Sequence, residues 1–338
     1  MSIYFLKGED KQAQIWRLES DVVTLSQITE AENGINEFSV SNSDGSIAFI
    51  SDNHLYLVDA DGDDQKLIAD DSRVDWEAED AAFRSYITNP VFSPDGRLLA
   101  YGFNGLHIYD LEKGTDEHIL TNLGNLLGEV FVFSKEIYVP GSWSPDGQRL
   151  LIVMSYYEGS TLALMKLGEG QPFQRLRSAG LACCQFTWSQ DSQSVLVSNP
   201  YYTIDLPGLW KYDAATGKKT VLIPGIREDG SLDYAGWPFQ KKNGDLYFFT
   251  INLASFSPDT GIPLKMVMSE SDGSGQKEIM DESMRIWDIL WAEDGTQAVV
   301  LGRDQTGAVK LWIAGTDGKP FKLILDDAQE IRNLEWGP

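Results

Sequence analysis

The chain repeats one ten-residue pattern at nearly constant intervals. Residues 92–101 read Phe-Ser-Pro-Asp-Gly-Arg-Leu-Leu-Ala-Tyr, and residues 143–152 read Trp-Ser-Pro-Asp-Gly-Gln-Arg-Leu-Leu-Ile. Weaker copies begin at positions 40, 188 and 291, and a degenerate copy begins at position 240. Proline presets the backbone of a turn and glycine takes a left-handed conformation at low cost, so each copy predicts a tight turn between two β-strands.

The spacing of the copies predicts the architecture. The Asp or Asn residues of the six turns lie at positions 44, 95, 146, 191, 243 and 294, so the intervals are 51, 51, 45, 52 and 51 residues. A second pair of strand-like segments follows each copy, which gives four strands per interval. We label them A to D, with the repeated turn between A and B. Such a period is typical of the blades of a β-propeller.

The two ends of the chain supply a seventh blade. The last residues, 336–338, read Trp-Gly-Pro and align with the Trp-Ser-Pro of residues 143–145. The first thirty residues contain segments that match strands B, C and D. We therefore predict one all-β domain over residues 1–338: a seven-bladed β-propeller of four-stranded antiparallel blades, whose closing blade is split between the termini. The predicted blades span approximately 38–70, 89–122, 139–178, 185–225, 235–282, 289–328, and 333–338 with 1–30.

The charge of the chain bears on its partners. It has 27 Lys and Arg residues against 51 Asp and Glu residues, a net charge of −24. Such a chain is repelled by nucleic acids and by anionic membrane surfaces. No apolar run reaches the roughly 18 residues of a membrane-spanning helix, and the N-terminus lacks the pattern of a signal peptide. We predict a monomer with no nucleic-acid partner and no membrane insertion.

The Ser-Pro-Asp-Gly copies, followed by strands such as 55–59 (Leu-Tyr-Leu-Val-Asp), resemble the repeats of TolB-like propellers, which are WD40-like. Similar repeats occur in the propellers of prolyl-oligopeptidase-type peptidases. The first resemblance implies an extracytoplasmic protein that binds peptide segments of a partner; the second implies a propeller that gates substrate for a hydrolase domain. The Gly-x-Ser-x-Gly motif of such a hydrolase is absent from the sequence. Seven blades also depart from the six of TolB.

The loops favour one face of the predicted propeller for binding. The A–B and C–D turns are short and repetitive, whereas the D–A and B–C loops are long and irregular, and binding residues favour such loops. The longest D–A loop, residues 70–86, has a weak helical pattern over 75–83. The predicted ligand-binding residues are Trp76, Arg84 and Tyr86 in this loop, Tyr156, Tyr157, Tyr201 and Tyr202 in B–C loops, and Trp237, Arg285 and Trp287 in further D–A loops. The alternative is that these aromatic rings pack between blades.

Metal binding and catalysis have weaker support. Residues 59–64 (Asp-Ala-Asp-Gly-Asp-Asp) resemble the start of a calcium loop, but they also fall where a C–D turn belongs. We therefore predict no cofactor, and a structural calcium ion is the less favoured alternative. Adjacent Cys183 and Cys184 could form a vicinal disulfide, and free thiols are preferred. The three histidines do not have the spacing of metal ligands, and the sequence does not indicate a nucleophile paired with a base.

The leading functional prediction is a non-catalytic domain that binds a protein, a peptide or a small ligand at the D–A/B–C face. Two alternatives stay open. One is an accessory propeller of a larger peptidase-type enzyme. The other is a metal-dependent hydrolase with its site in the central channel.

Overall fold

The fold is all-β and confirms the predicted seven-bladed propeller of four-stranded antiparallel blades. It was obtained as a computed structural model, which describes residues 1–9, 11–72, 74–77, 81, 85–123, 136–156, 159–168, 173–176, 185–199, 207–226, 230, 234–251 and 262–338. Within these ranges, no helix has the length and apolar character that crossing a membrane would require. The chain divides into a first unit, Met1–Arg175 with Glu330–Pro338, and a second unit, Leu176–Gln329.

The first unit begins with three strands of the closing blade and continues with blades 1, 2 and 3. The opening strands are β1 (Ser2–Lys7), β2 (Gln14–Leu18) and β3 (Leu25–Gln27). Blade 1 contains β4 (Glu37–Val40), β5 (Ile47–Ser51), β6 (His54–Val58) and β7 (Lys66–Ala69). Blade 2 contains β8 (Thr88–Phe92), β9 (Leu98–Gly102), β10 (Gly105–Asp110) and β11 (Thr115–Thr121). Blade 3 contains β12 (Ile137–Trp143), β13 (Arg149–Tyr156), β14 (Gly159–Lys166) and β15 (Gln174–Leu176).

The second unit contains blades 4, 5 and 6. Blade 4 is formed by β16 (Gln185–Trp188), β17 (Ser194–Asn199), β18 (Gly208–Asp213) and β19 (Lys219–Ile223). Blades 5 and 6 share one seven-stranded sheet, whose strands are β20 (Tyr234–Gln240), β21 (Leu246–Ile251), β22 (Ile262–Ser269), β23 (Lys277–Trp291), β24 (Gln297–Arg303), β25 (Val309–Gly315) and β26 (Lys322–Leu325).

The closing blade is split between the chain ends, as the sequence predicts. Its last strand, β27 (Ile331–Gly337), pairs with β1, and the strand order is β27-β1-β2-β3. Ile3 lies opposite Trp336 in the antiparallel ladder, and both side chains are buried. The C-terminal strand thus supplies the strand A that the N-terminal segment lacks.

The prediction of a D–A loop between blades 5 and 6 is wrong, because β23 runs through both blades without a break. Its first half pairs with β22 and its second half pairs with β24. Met284 and Ile286 are apolar residues at alternate positions, and the alternation resumes at Ile289 after a register shift between Ile286 and Asp288. The shift is a β-bulge, which turns the strand without interrupting it.

The serine and aspartate of the repeated motif hold the A–B turn together. In blade 3, Ser144 is fully buried; its Oγ donates to Asp146 Oδ1 at 2.6 Å and accepts from the Arg149 N–H at 2.9 Å. In blade 2, the same bond from Ser93 is the main reason that the pKa of Asp95 lies below its ordinary value. The polar residues of the motif therefore serve the scaffold.

We expect Ser144→Ala to lower the free energy of unfolding by about 1–3 kcal/mol, because the partly buried Arg149 N–H loses its acceptor. Urea denaturation followed by circular dichroism measures the change. Ser271→Ala, an exposed serine in another turn, is the control and should change stability by less than about 0.5 kcal/mol. Equal effects of the two substitutions would contradict this role.

In blades 3 and 6, the aromatic residue of the motif joins the blade to the preceding one. Trp143 Nε1 donates to the carbonyl oxygen of Val91 in blade 2 at 3.1 Å, and Trp291 Nε1 donates to that of Trp237 in blade 5 at 2.8 Å. Trp143 also belongs to a hydrophobic cluster that combines blade 2 residues such as Leu98 with blade 3 residues. This cluster of the core therefore lies between two adjacent blades of the first unit.

Candidate functional site

Two of the predicted binding residues form an exposed aromatic pair in the first unit. Trp76 and Tyr86 lie in the D–A loop between blades 1 and 2, and their ring centroids are 5.5 Å apart at an interplanar angle of 53°. The two side chains are 42% and 56% exposed. Large aromatic side chains are usually buried on folding, so an exposed pair that is also held in contact is a candidate anchor for a ligand.

Asn53, which the sequence analysis missed, fixes this loop to the body of blade 1. Its Nδ2 donates to Asp71 Oδ2 at 3.1 Å and to the Ser85 carbonyl oxygen at 3.0 Å, and its Oδ1 accepts from the Ile87 N–H at 2.8 Å. Asn53 has a φ of +55°, a conformation that asparagine tolerates better than most residues. The sequence feature that could have indicated Asn53 is an asparagine at the tip of a B–C turn.

The surroundings of the aromatic pair are acidic. Asp75 and Glu77 flank Trp76 in the chain and are exposed, and Asp71 lies at the start of the same loop. Carboxylates beside exposed aromatic faces suit a cationic group, since both attract positive charge.

A cleft of about 630 Å³ opens on the same set of loops in the first unit. It is lined by Gly8, Glu9, Lys11, Gln12, Glu330 and Arg332. The Arg332 Nη1 donates to the Gly8 carbonyl oxygen at 3.0 Å and so joins β27 to the B–C loop of the closing blade. None of the cleft residues was predicted, because the split blade separates them by most of the chain.

The cleft and the aromatic pair are linked through the loops of blade 1. The backbone of Gly34 lies so close to Lys11 that an added Cβ would meet the Lys11 carbonyl carbon at 2.6 Å. Its neighbour Asn33 donates from Nδ2 to Asp52 Oδ2 at 3.4 Å, and Asp52 precedes Asn53 in the B–C turn. These contacts connect the loops around the cleft to the B–C turn that contains Asn53.

The second unit has a different patch, at the predicted residue Trp287. Its side chain is 48% exposed, and the guanidinium carbon of Arg303 lies 5.2 Å from its ring centroid. Trp287 lies within β23, and Arg303 ends the neighbouring strand β24. Trp287 therefore lies on a strand and not in the D–A loop that was predicted, and the same correction applies to the backbone of Arg285.

Trp237 is buried and does not belong to an exposed site. It lies in β20, not in a loop, and it packs in the hydrophobic cluster of blades 5 and 6. Its backbone has a φ of +48°, and its N–H donates to Gln185 Oε1 in blade 4 at 2.9 Å. Asn89 in blade 2 has the same left-handed conformation, and its N–H donates to Glu37 Oε2 in blade 1. These matched bonds join successive inner strands.

Two inner-strand carboxylates have perturbed acidity. Burial raises the pKa of Glu37, although the bond from Asn89 opposes this shift. Burial likewise raises the pKa of Asp288, whose Oδ1 accepts a hydrogen bond from the Ile289 N–H at 2.9 Å. The partners given for these two carboxylates in the described part of the chain are backbone N–H groups.

Of the remaining predicted residues, the structure describes Tyr156, and the others lie outside the described residues. Tyr156, at the end of β13, is half-buried, and burial raises its pKa, with the nearby Glu136 adding to the shift. Glu136 itself is held by Arg175 Nη2 at 2.8 Å and by the Tyr138 hydroxyl at 2.9 Å. Arg84, Tyr157, Tyr201 and Tyr202, most of the predicted helix at 75–83, and both cysteines lie outside the described residues, as does the side chain of Arg285.

Asp59, the first residue of the calcium-like segment, closes a C–D turn. Its Oδ1 accepts hydrogen bonds from the N–H groups of Asp61 and Asp63 at 3.0 and 2.8 Å. No group of three or more potential ligands among the described His, Cys, Asp and Glu residues could hold a metal ion. The hydrogen bonds of Asp59 show that this segment forms the C–D turn of blade 1.

Comparison with known proteins supports the fold and leaves the function open. No family model matches the chain, and no curated protein matches it significantly. The chain is similar to a prolyl endopeptidase at 12% identity and a TM-score of 0.61, covering 95% of this chain but only 47% of that one.

Two further solved structures are similar at this level. An oligogalacturonate lyase from Vibrio parahaemolyticus matches at 12% identity and a TM-score of 0.60, over 93% of this chain and 86% of that one. TolB from Acinetobacter baumannii matches at 17% identity and a TM-score of 0.51, over 98% of this chain and 82% of that one. At these identities the likeness concerns the fold alone, which is a β-propeller in each case.

Proposed function

We propose that this chain is a non-catalytic, extracytoplasmic binding domain that recognises a peptide segment of a partner protein through the D–A and B–C loops of its first unit. The observation that carries the proposal is the exposed Trp76–Tyr86 pair. Three hydrogen bonds of Asn53 join the two ends of its loop, at Asp71, Ser85 and Ile87, to the blade. Trp and Tyr are enriched among residues that dominate binding energy, and rings that are already in contact lose little conformational entropy when they bind.

The charge of this surface narrows the class of peptide. Asp75 and Glu77 are exposed beside Trp76, and the whole chain has a net charge of −24. A segment with a Lys or Arg residue beside an apolar residue would place its cation over the aromatic rings and its apolar side chain against them. An acidic segment would be repelled during approach.

An accessory role in a larger peptidase-type enzyme is the alternative. It rests on the repeat resemblance, and the chain spans 47% of the prolyl endopeptidase it resembles. In that role the same loop face would contact a hydrolase domain, and a hydrolase motif encoded in the same reading frame would favour it over the stand-alone proposal.

Peptide selection followed by affinity measurement tests the proposal. Peptides are selected from a random phage-displayed library on the immobilised protein, and the best is measured by fluorescence anisotropy. We expect selected peptides to be basic, and we expect Trp76→Ala to weaken binding tenfold or more, about 1.4 kcal/mol, because it removes half of the aromatic pair.

Leu323→Ala is the matched control, since Leu323 is a similarly exposed apolar residue on β26 in the second unit. It should leave the affinity unchanged. Equal affinity of wild type and Trp76→Ala for every selected peptide would contradict this location of the site, and selection of acidic peptides would contradict the proposed charge preference.

A further inference from the structure

Arg303 is an unusual cation in this acidic chain. Its Nε is buried and has no hydrogen-bond partner, and the guanidinium forms no ion pair with any carboxylate among the described residues. The chain has 51 acidic residues against 27 basic ones, so carboxylates are available to pair with most of its basic side chains. A buried donor without an acceptor destabilises the protein until something accepts its hydrogen bond.

Two carboxylates close to Arg303 in the chain or on the neighbouring strand have other partners. Asp304, the next residue, accepts from Thr306 Oγ1 at 2.6 Å and pairs with Lys310 Nζ at 2.9 Å. Asp288, on the neighbouring strand, accepts from its own chain at Ile289. The acceptor that Arg303 lacks is therefore not supplied by either of them.

Trp287 orients the Arg303 guanidinium. Its ring is 48% exposed and lies against the Arg303 guanidinium, with 5.2 Å between the ring centroid and the guanidinium carbon. Stacking on an aromatic ring keeps a guanidinium planar and oriented while its edge stays open to a ligand. A planar carboxylate matches such an edge with two parallel hydrogen bonds.

We propose that Arg303 and Trp287 form a carboxylate-binding site at the end of blade 6. A small rotation of the Arg303 side chain would bring Nε and one Nη to the two carboxylate oxygens, and the indole would cover the apolar part of the ligand. The site lies wholly in the second unit and does not depend on the proposed peptide site at Trp76.

A titration with acetate, with phosphate and chloride as comparisons at equal ionic strength, tests this site. The signal is the Nε–H resonance of Arg303 in protein labelled with ¹⁵N-arginine, identified by its loss in Arg303→Lys. We expect a saturable shift with acetate and a dissociation constant on the order of 1–10 mM, the range of a weak single-site contact. Trp287→Ala should weaken binding threefold or more.

Lys322→Gln is the control, since it removes one positive charge from the exposed surface of the same blade. It should leave the acetate affinity unchanged. A shift with acetate no larger than that with chloride would overturn the proposal, and tighter binding of phosphate than of acetate would overturn the assignment to carboxylates. Peptide binding at Trp76 can succeed or fail without affecting either outcome.

Discussion

A chain that lacks residues 331–338 is expected not to fold. These residues form β27, and their loss removes the buried side chains of Ile331, Leu334 and Trp336 together with the whole backbone ladder to β1. Removing one large buried side chain commonly costs about 2–5 kcal/mol, so the loss of three is comparable to the roughly 5–15 kcal/mol that stabilises a typical domain. The exposed edge of β1 would also favour aggregation.

Circular dichroism and size-exclusion chromatography measure this outcome. The control lacks only Pro338, which is exposed, and should match the full chain in its melting temperature. A monomeric truncated chain that melts within a few degrees of the full chain would show that β27 contributes little to the closing blade.

Gly105→Ala has the second largest expected effect. Gly105 begins β10 with a φ of +135°, and a Cβ added there would lie 1.8 Å from the Leu120 carbonyl oxygen on β11. A left-handed conformation costs an alanine about 1–2 kcal/mol, and forcing atoms into packed surroundings costs about 1–3 kcal/mol. We therefore expect the free energy of unfolding to fall by about 2–5 kcal/mol in urea denaturation.

Gly168→Ala separates the two causes. Gly168 also has a positive φ, of +76°, but a Cβ there would meet nothing within 4 Å. Its substitution should cost only the conformational part, about 1–2 kcal/mol. If Gly105→Ala is no more destabilising than Gly168→Ala, the close approach to Leu120 does not constrain this strand.

The blades could be predicted because the motif encodes a local structure. Ser93 and Asp95 form their hydrogen bond within one turn, so the motif predicts this turn regardless of where the blade lies. The continuous strand β23 could not be predicted, because its bulge at Ile286 depends on how two neighbouring strands share one edge. The same limit applies to Trp237, which resembles a loop aromatic in the sequence but packs between strands.

The candidate sites were predictable only in part. Trp76, Tyr86 and Trp287 are exposed aromatic residues at the ends of blades, and their type and position indicated them. Arg303 could not be identified, because its distinguishing property is the absence of a partner among the described residues, and only three-dimensional structure reveals partners. The cleft beside Arg332 likewise depends on a pairing between opposite ends of the chain.

The split blade also sets the order in which the protein can mature. The contact between Arg332 and Gly8 joins residues 324 positions apart, so strands β1, β2 and β3 leave the ribosome long before their inner strand exists. Contacts of such high sequence separation form slowly and late. Until residues 331–337 have been synthesised, β1, β2 and β3 form an incomplete sheet, and its closure by β27 is the step at which chaperones would have most effect.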